Sequence, residues 1–273
     1  MGLVEAAALL HARQLSAVEL ARACLERIEV RNGGLLSFDG APKAINAWVR
    51  LYPEVALRHA HAADRRLASG RRAPLLCGIP LGLKDLYAVR GLPLTASSRV
   101  LEGNVASESS AVWARLRAAG MVLLGHTHTH EFGAGPTTDQ VGNPWRPARS
   151  AGGSSGGSAA ALATRMVPAA TGTDTGGSLR FPASFCGLST IKPTYGLVPP
   201  AGLIPVASSI DHAGPMARTV ADCAALLQTM GAGAWLPRLA TGPRTGLRPL
   251  AGLTVAVTDR LPDAAMQADA ADG

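Results

Sequence analysis

Short apolar runs that alternate with helix-like segments are the feature of this sequence that most restricts its fold. GIPLGLKDLYAV, MVLLG and VPAATGT, at residues 78–89, 121–125 and 167–173, have the apolar character of buried strands. Between them, SAVWARLRAAG and GSAAALATRM, at residues 110–120 and 157–166, have the spacing of helices. Strands interleaved with helices predict an α/β fold, in which a sheet is covered by helices on both faces.

The flanking regions extend this pattern in both directions. Ser16 and Glu19 form a capping box, so we predict a helix over 16–30. INAWVRL is typical of a strand, and a helix over 53–69 is expected to end at Gly70. Downstream, we expect a helix capped by Thr219 and Asp222, a linker rich in Pro, Gly and Arg, and a buried strand, GLTVAV.

Composition and cysteine spacing restrict the class of protein. Hydrophobic residues make up 47% of the 273-residue chain and charged residues 16%, which is typical of a globular protein. Four widely spaced cysteines predict neither a zinc site nor disulfides. The absence of a leader-like segment and of long apolar runs predicts a cytoplasmic protein without a membrane partner. The net charge of +7 comes from scattered arginines, which indicates a solvated basic surface.

The Gly/Ser cluster AGGSSGGSAAA, residues 151–161, has several possible interpretations. A linker would continue in polar residues, whereas this cluster leads directly into a helix. It lacks the Gly-Lys-Ser/Thr ending of a phosphate loop and the dinucleotide pattern G-x-G-x-x-G. G-x-S-x-G matches at Ser154 and at Ser155, but Pro144 and Pro147 interrupt the strand that a nucleophile elbow needs.

Two further motifs are weaker. Ser189 and Lys192 match S-x-x-K, but Pro193 disfavours the helix that would bring them together. The stretch from His126 to Glu131 resembles the start of a metal site, yet His212 is the only histidine downstream, so a polar loop is favoured and no metal is predicted.

Three elements in one order carry a stronger signal: GIPLGLKDL, GGSSGGSAAA and GTDTGGSLRFPA. Together with HEFGAG, GNPW, FCGLSTIKPTYGLVP and SSIDHAGPMARTVAD, they make the chain resemble the amidase signature family of serine hydrolases from about residue 3 to residue 258. The resemblance implies a mixed central sheet, an N-terminal helical segment over 1–70 and a catalytic core over 71–231. A linker and the start of a second half then occupy 232–273, since members of the family continue well beyond this point.

The resemblance also implies the site residues. Ser178 is the nucleophile, Ser154 the bridging serine after a cis peptide bond, and Lys84 the base. Backbone N–H groups would form the oxyanion hole, Ser155 and Thr173 would orient the triad, and Arg180 is a candidate for holding a substrate carboxylate. The oxyanion-hole residues would be Thr175, Gly176, Gly177 and Ser178.

The chemistry of a serine amidase explains why lysine is needed. A serine hydroxyl becomes a good nucleophile when a neighbour accepts its proton, and lysine can accept a proton once burial lowers its pKa. Arginine stays protonated. Among 26 cationic side chains, Lys43, Lys84 and Lys192 are the only lysines, so Lys84 is chemically informative.

Three functions remain open at this stage. The first is an amidase that hydrolyses a small carboxamide to a carboxylate and ammonia through an acyl-enzyme, without a cofactor. The second is the glutaminase-type A subunit of a tRNA-dependent amidotransferase, the only one with a nucleic-acid partner. The third is a truncated, inactive relative. We also expect a homodimer or a completing polypeptide, because the chain resembles only the first part of the family.

Overall fold

One mixed β-sheet forms the centre of the fold. The computed structural model describes residues 1–41 and 43–232, and within this part of the chain six strands pair in the order β1-β3-β2-β4-β6-β5. Strand β2 is parallel to β3 and β4, and the other neighbours are antiparallel. The strands are β1 (Trp48–Leu51), β2 (Pro80–Lys84), β3 (Val122–Thr127), β4 (Ala169–Asp174), β5 (Ser189–Thr190) and β6 (His212–Ala217).

The helices pack against this sheet and against each other. Helix α2 begins with the expected capping box, since the Glu19 N–H donates to Ser16 Oγ at 3.1 Å and the Ser16 N–H donates to Glu19 Oε2 at 2.8 Å. The mixed sheet with its helices confirms the α/β class. The helices are α1 (Leu3–His11), α2 (Ala17–Arg31), α3 (Pro53–Ala68), α4 (Ala111–Ala118), α5 (Gly156–Ala163), α6 (Arg180–Cys186) and α7 (Val220–Leu227).

The N-terminal helices share their core with the sheet. Leu3 and Leu10 of α1 and Ile28 of α2 are buried in the same apolar cluster as Leu81 of β2 and Leu124 of β3. The division into a helical segment over 1–70 and a core over 71–231 stays a prediction. Apart from residue 232, the linker and second half expected over 232–273 lie outside the described residues.

The parallel strands β2 and β4 bring chemically active residues together. Leu81 pairs with Ala169 and Gly82 with Ala170, so the two strands end at the same edge of the sheet. Strand β2 ends at Lys84, and β4 ends at Asp174. The carboxyl ends of parallel strands are the usual place for a ligand site in an α/β sheet. This edge is therefore where a site is expected.

Candidate active site

Lys84 is the centre of the site. It is the last residue of β2, and its side chain is completely buried. Its Nζ lies within hydrogen-bonding distance of three hydroxyl oxygens: Ser154 Oγ at 2.7 Å, Ser155 Oγ at 3.0 Å and Thr173 Oγ1 at 2.7 Å. All three hydroxyls are neutral, and among the described residues no carboxylate forms an ion pair with Nζ that would hold a proton on the lysine.

Burial changes the acid–base behaviour of this lysine. Removing the ammonium from water lowers the pKa of Lys84 from 10.5 to about 7, although the negative charges of Asp174 and Asp211 act in the opposite direction. A lysine with a pKa near 7 is substantially neutral at physiological pH. Lys84 can therefore accept a proton from a neighbouring hydroxyl.

Ser154 follows a glycine whose backbone packs closely against the backbone of Thr137. The Gly153–Ser154 peptide bond is cis, and a Cβ on Gly153 would lie 2.3 Å from the Thr137 carbonyl oxygen. Glycine is therefore required at this position. The Ser154 carbonyl accepts hydrogen bonds from the His130 N–H at 3.0 Å and from Thr138 Oγ1 at 3.2 Å. These contacts fix the Ser154 side chain beside Lys84.

Ser155 connects three parts of the site. It is the N-cap residue of α5, and its Oγ donates to the Thr173 carbonyl at 3.3 Å while accepting from Lys84. Its backbone N–H donates to the carbonyl of Ser178 at 3.3 Å. Ser155 thus links Lys84, strand β4 and the loop after that strand.

Ser178 lies in the loop between β4 and α6. It is half-buried, and its backbone carbonyl is held by Ser155. Among the described residues the Ser178 hydroxyl makes no hydrogen bond, so the structure joins Lys84 to Ser154 directly but does not place Ser178 Oγ in hydrogen-bonding contact with Ser154 Oγ. The role of Ser178 as nucleophile stays a prediction.

Asp174 organises this loop and is not among the site residues predicted from the sequence. Its buried carboxylate accepts hydrogen bonds from the N–H groups of Gly177 at 2.8 Å and Leu179 at 3.2 Å. Burial raises the pKa of Asp174, but the hydrogen bonds from Arg180, Leu179 and Gly177 outweigh that effect and lower it overall. An acidic residue inside a Gly-rich stretch, six positions before an arginine, was the available signal.

The backbone N–H groups predicted to form the oxyanion hole divide into two sets. The Gly177 N–H donates to Asp174 Oδ1, whereas those of Thr175, Gly176 and Ser178 have no hydrogen-bond partner among residues 1–41 and 43–232. Gly177 has a φ of +128°, and a Cβ there would lie 2.5 Å from the Phe181 ring. Three N–H groups therefore remain available for an oxyanion. Gly177 allows the positive φ that the loop adopts at this position.

Arg180 is paired rather than free. Its Nε donates to Asp174 Oδ2 and its Nη2 donates to Asp174 Oδ1, both at 3.0 Å, in the two-pronged geometry typical of arginine and carboxylate. The Arg180 side chain is 55% exposed, whereas the Asp174 side chain is fully buried. The expected contact of Arg180 with a substrate carboxylate stays a prediction.

The histidines of the stretch from His126 to Glu131 are engaged in hydrogen bonds. His126 is buried, with Tyr52 Oη 2.9 Å from its Nδ1 and the Tyr87 carbonyl 3.1 Å from its Nε2. His128 is also buried, and its ring nitrogens contact Ser97 Oγ and the Ser37 carbonyl. Both rings hold backbone segments together around the site.

The S-x-x-K motif is not brought together as a catalytic pair. Among the residues that the structure describes, Lys192 Nζ contacts the Pro193 carbonyl at 3.2 Å and His212 Nε2 at 3.2 Å, and makes no hydrogen bond to Ser189. Of the three lysines, Lys84 is therefore the one that contacts serine hydroxyls.

None of the helices in residues 1–41 and 43–232 is long and apolar enough to cross a bilayer.

Comparison with known proteins gives one consistent result. The Amidase family model matches residues 35–267. The A subunit of glutamyl-tRNA(Gln) amidotransferase from Ralstonia nicotianae is 50% identical over 226 residues, which cover 81% of this chain and 43% of that protein. The relative from Methylococcus capsulatus is 48% identical over 233 residues, which cover 84% of this chain and 46% of that protein. The chain thus spans less than half the length of the curated relatives it matches.

Solved structures show the same relationship. The peptide amidase from Stenotrophomonas maltophilia matches with a TM-score of 0.75 and 35% identity, over 88% of this chain and 51% of that one. The 6-aminohexanoate cyclic dimer hydrolase matches with a TM-score of 0.74 and 32% identity, over 95% of this chain and 49% of that one. Sequence, fold and the matched family model agree that this chain belongs to the amidase family.

Proposed function

We propose that the protein hydrolyses a small carboxamide to a carboxylate and ammonia, with Ser178 as the nucleophile. The observation that carries this proposal is the buried Lys84, whose Nζ lies 2.7 Å from Ser154 Oγ and whose pKa is lowered to about 7. A neutral amine beside a serine hydroxyl is the base that such a reaction requires. The cycle uses protein side chains and water.

The first half of the cycle forms the acyl-enzyme. Neutral Lys84 accepts a proton from Ser154 Oγ, which accepts one from Ser178 Oγ. The Ser178 oxygen forms a bond to the carbonyl carbon of the amide, and the π electron pair moves onto the carbonyl oxygen. We assign the oxyanion to the N–H groups of Thr175, Gly176 and Ser178, since donors aimed at developing charge stabilise the transition state.

The second half releases both products. When the tetrahedral intermediate collapses, the C–N bond breaks, its electron pair stays on nitrogen, and Ser154 donates a proton to that nitrogen. The proton that Lys84 had accepted then returns to Ser154. Water attacks the Ser178 ester by the same proton path, which releases the carboxylate and restores the Ser178 hydroxyl.

Modification of the nucleophile tests this proposal directly. The intact mass of the purified chain would be measured after treatment with a small fluorophosphonate, which bonds to activated serines. We expect one adduct on the parent chain and none on Ser178→Ala. Lys84→Met should reduce the labelling rate by about 1000-fold, because the base that activates the serine is lost.

Two control variants distinguish the loss of a reacting side chain from a general loss of folding. Ser184→Ala removes an exposed serine six residues after Ser178, and Lys43→Met removes an exposed lysine, so both should label like the parent. Circular dichroism would verify that every variant is folded. Equal labelling of Ser178→Ala and the parent, or no labelling of any folded chain, would refute Ser178 as an activated nucleophile.

A second candidate function is supported by the curated relatives. The amidotransferase protein from Ralstonia nicotianae is 50% identical over the matched region, which favours a glutaminase-type subunit that passes ammonia to a misacylated tRNA. The net charge of +7 is compatible with a nucleic-acid partner. Glutamine hydrolysis that requires added partner subunits and charged tRNA would identify this function. Hydrolysis of simple amides by the chain alone would identify the first one.

A cytoplasmic location belongs to the same proposal. Cys24, Cys77, Cys186 and Cys223 are buried and form no disulfide among the described residues. Free thiols are typical of proteins in a reducing compartment. Counting free thiols in the protein isolated from its native cells, with a thiol reagent under denaturing conditions, would verify this; fewer than four would contradict it.

A further inference from the structure

A cavity of about 370 Å³ lies beside the Lys84 end of the site. Thr173, whose hydroxyl accepts from Lys84 Nζ, forms part of its wall, as does Asp211. This volume is within the usual range for small-molecule sites. The rest of the wall is mainly aliphatic, with Leu203, Ile204, Pro205, Val206 and Ala213, and it also includes the polar residues Ser208 and His212.

One wall residue of this cavity lies close to the bridging serine. A Cβ placed on Gly133 would be 3.1 Å from Val206 Cγ2 and 3.7 Å from Ser154 Oγ. Val206 and the Ser154 hydroxyl therefore flank the same small volume next to Gly133. The cavity therefore reaches the Lys84 side of the site through Thr173 and the Ser154 side through Val206.

The direction of proton transfer decides which part of a substrate faces this side. In the proposed cycle, Ser154 protonates the departing nitrogen, so this nitrogen must come within hydrogen-bonding distance of Ser154 Oγ. The carbonyl oxygen points instead toward the loop of residues 175–178. Any substituent on the nitrogen consequently extends past Ser154 toward Val206 and the cavity.

We propose that this cavity binds the amine-side substituent of the substrate, so that the protein cleaves N-alkyl amides and releases alkylamines. This inference rests on the proposed function. The C–N bond breaks with its electron pair on nitrogen, and the proton comes from Ser154, as for a primary amide. The products are a carboxylate and an alkylamine in place of ammonia.

The charges in the cavity fit an amine that becomes protonated on release. Asp211 contributes a carboxylate to the wall, and this carboxylate is fixed by the N–H groups of Val206 at 2.9 Å and Ala207 at 3.0 Å. The hydroxyl of Thr175 also donates to Asp211. A fixed negative charge beside aliphatic side chains suits an alkylammonium product, with its charge near Asp211 and its chain against Val206.

A pair of amides that differ only at nitrogen tests the inference. The value of kcat/KM would be measured for butanamide and for N-butylbutanamide with the parent chain and with Val206→Trp. Val206 is 42% exposed at the cavity wall, so a larger side chain should fill the cavity without disturbing the core. We expect the ratio of kcat/KM for the N-butyl amide to that for butanamide to fall at least tenfold.

Val100→Trp is the matched control. Val100 is 81% exposed in the short 3₁₀ helix Arg99–Leu101 and is not part of the cavity wall. The same substitution there should leave the ratio unchanged. An unchanged ratio in Val206→Trp, or a parent chain that cleaves butanamide but not N-butylbutanamide, would overturn the inference while leaving the proposed function intact.

A binding measurement decides the inference even if catalysis fails. Calorimetry would measure binding of N-butylbutanamide to Ser178→Ala, with and without Val206→Trp or Val100→Trp. We expect Val206→Trp to weaken binding at least tenfold and Val100→Trp to leave it unchanged. Equal binding by the Val206→Trp chain, or no binding to Ser178→Ala, would overturn the cavity assignment. Absence of hydrolysis of both amides by the parent would count against the proposed function alone.

Discussion

At the scale of single residues, Lys84 gives the site a defined dependence on pH. Its pKa of about 7 means that the ammonium form, which cannot accept a proton, predominates below this value. We therefore expect the rate of fluorophosphonate labelling of Ser178 to rise about tenfold per pH unit below pH 7 and to level off above it. Labelling rates measured across about pH 5.5–9 would give this profile.

The reagent's own reactivity provides the control for that profile. Hydrolysis of the fluorophosphonate in buffer would be measured at each pH and subtracted. A flat profile through about pH 6–8, or one that rises only near the ordinary pKa of lysine, would contradict a base with a pKa of about 7. The labelling rate of Lys84→Met should lack this rise below pH 7 and the plateau above it.

At the scale of elements, Asp174 holds the loop between β4 and α6 in shape. Asp174→Asn removes the carboxylate that accepts from Gly177, Leu179 and Arg180. We expect the free energy of unfolding to fall by about 1–3 kcal/mol, since a buried acceptor is lost and its partners are left unsatisfied. Labelling of Ser178 should fall in parallel because the loop loses its fixed geometry. Urea unfolding and the labelling rate measure the two effects.

The exposed pair of Arg99 and Asp39 is the control for that prediction. Both side chains are mostly solvent-exposed, at 63% and 74%, so Asp39→Asn should change stability by about 0–1 kcal/mol. Asp174→Asn and Asp39→Asn remove the same chemical group in different environments. Similar small effects of both substitutions would show that Asp174 does not organise the loop.

Elements with strong local signals could be predicted from the sequence. The helix expected over 16–30 is α2 at Ala17–Arg31, and the helix expected over 53–69 is α3 at Pro53–Ala68. A capping box marks the start of α2, a proline marks the start of α3, and apolar residues at helical spacing run through both. The strand expected at MVLLG is β3, which begins at Val122. Predictions of this kind depend on contacts within a few residues.

Elements that depend on distant contacts could not be predicted. Strand β6 contains Gly214 and Pro215, which are residues that disfavour strands, yet it pairs with β4 and β5. Its partners compensate, since Thr190 Oγ1 donates to the Pro215 carbonyl at 2.8 Å. The role of the Asp174 carboxylate could not be predicted either, because only the folded loop brings its hydrogen-bond donors to it. The GLTVAV strand lies outside the described residues.

At the scale of the whole molecule, α1 belongs to the common core. Leu10 is 1% exposed and packs into the cluster that also contains Trp48 and Trp113. Leu10→Ala should lower the free energy of unfolding by about 2–5 kcal/mol, because it leaves a cavity in this cluster. Tryptophan fluorescence during urea unfolding measures the change.

The same experiment tests whether the site and the core unfold together. Ser178 labelling and tryptophan fluorescence should give the same urea midpoint in Leu10→Ala, shifted equally from the parent. Leu35→Ala, at a leucine that is 95% exposed, should leave the midpoint in place. Labelling that survives beyond the fluorescence transition would show that the site is independent of α1.

The enclosure of Lys84 has a practical consequence for handling the protein. Lys43 and Lys192 are exposed, whereas Lys84 is completely buried, and these three are the only lysines in the chain. Amine-directed reagents applied to the folded protein will therefore attach at Lys43, Lys192 and the amino terminus. The protein can be tethered to a resin or tagged with a dye through these amines while Lys84, the proposed base, stays unmodified.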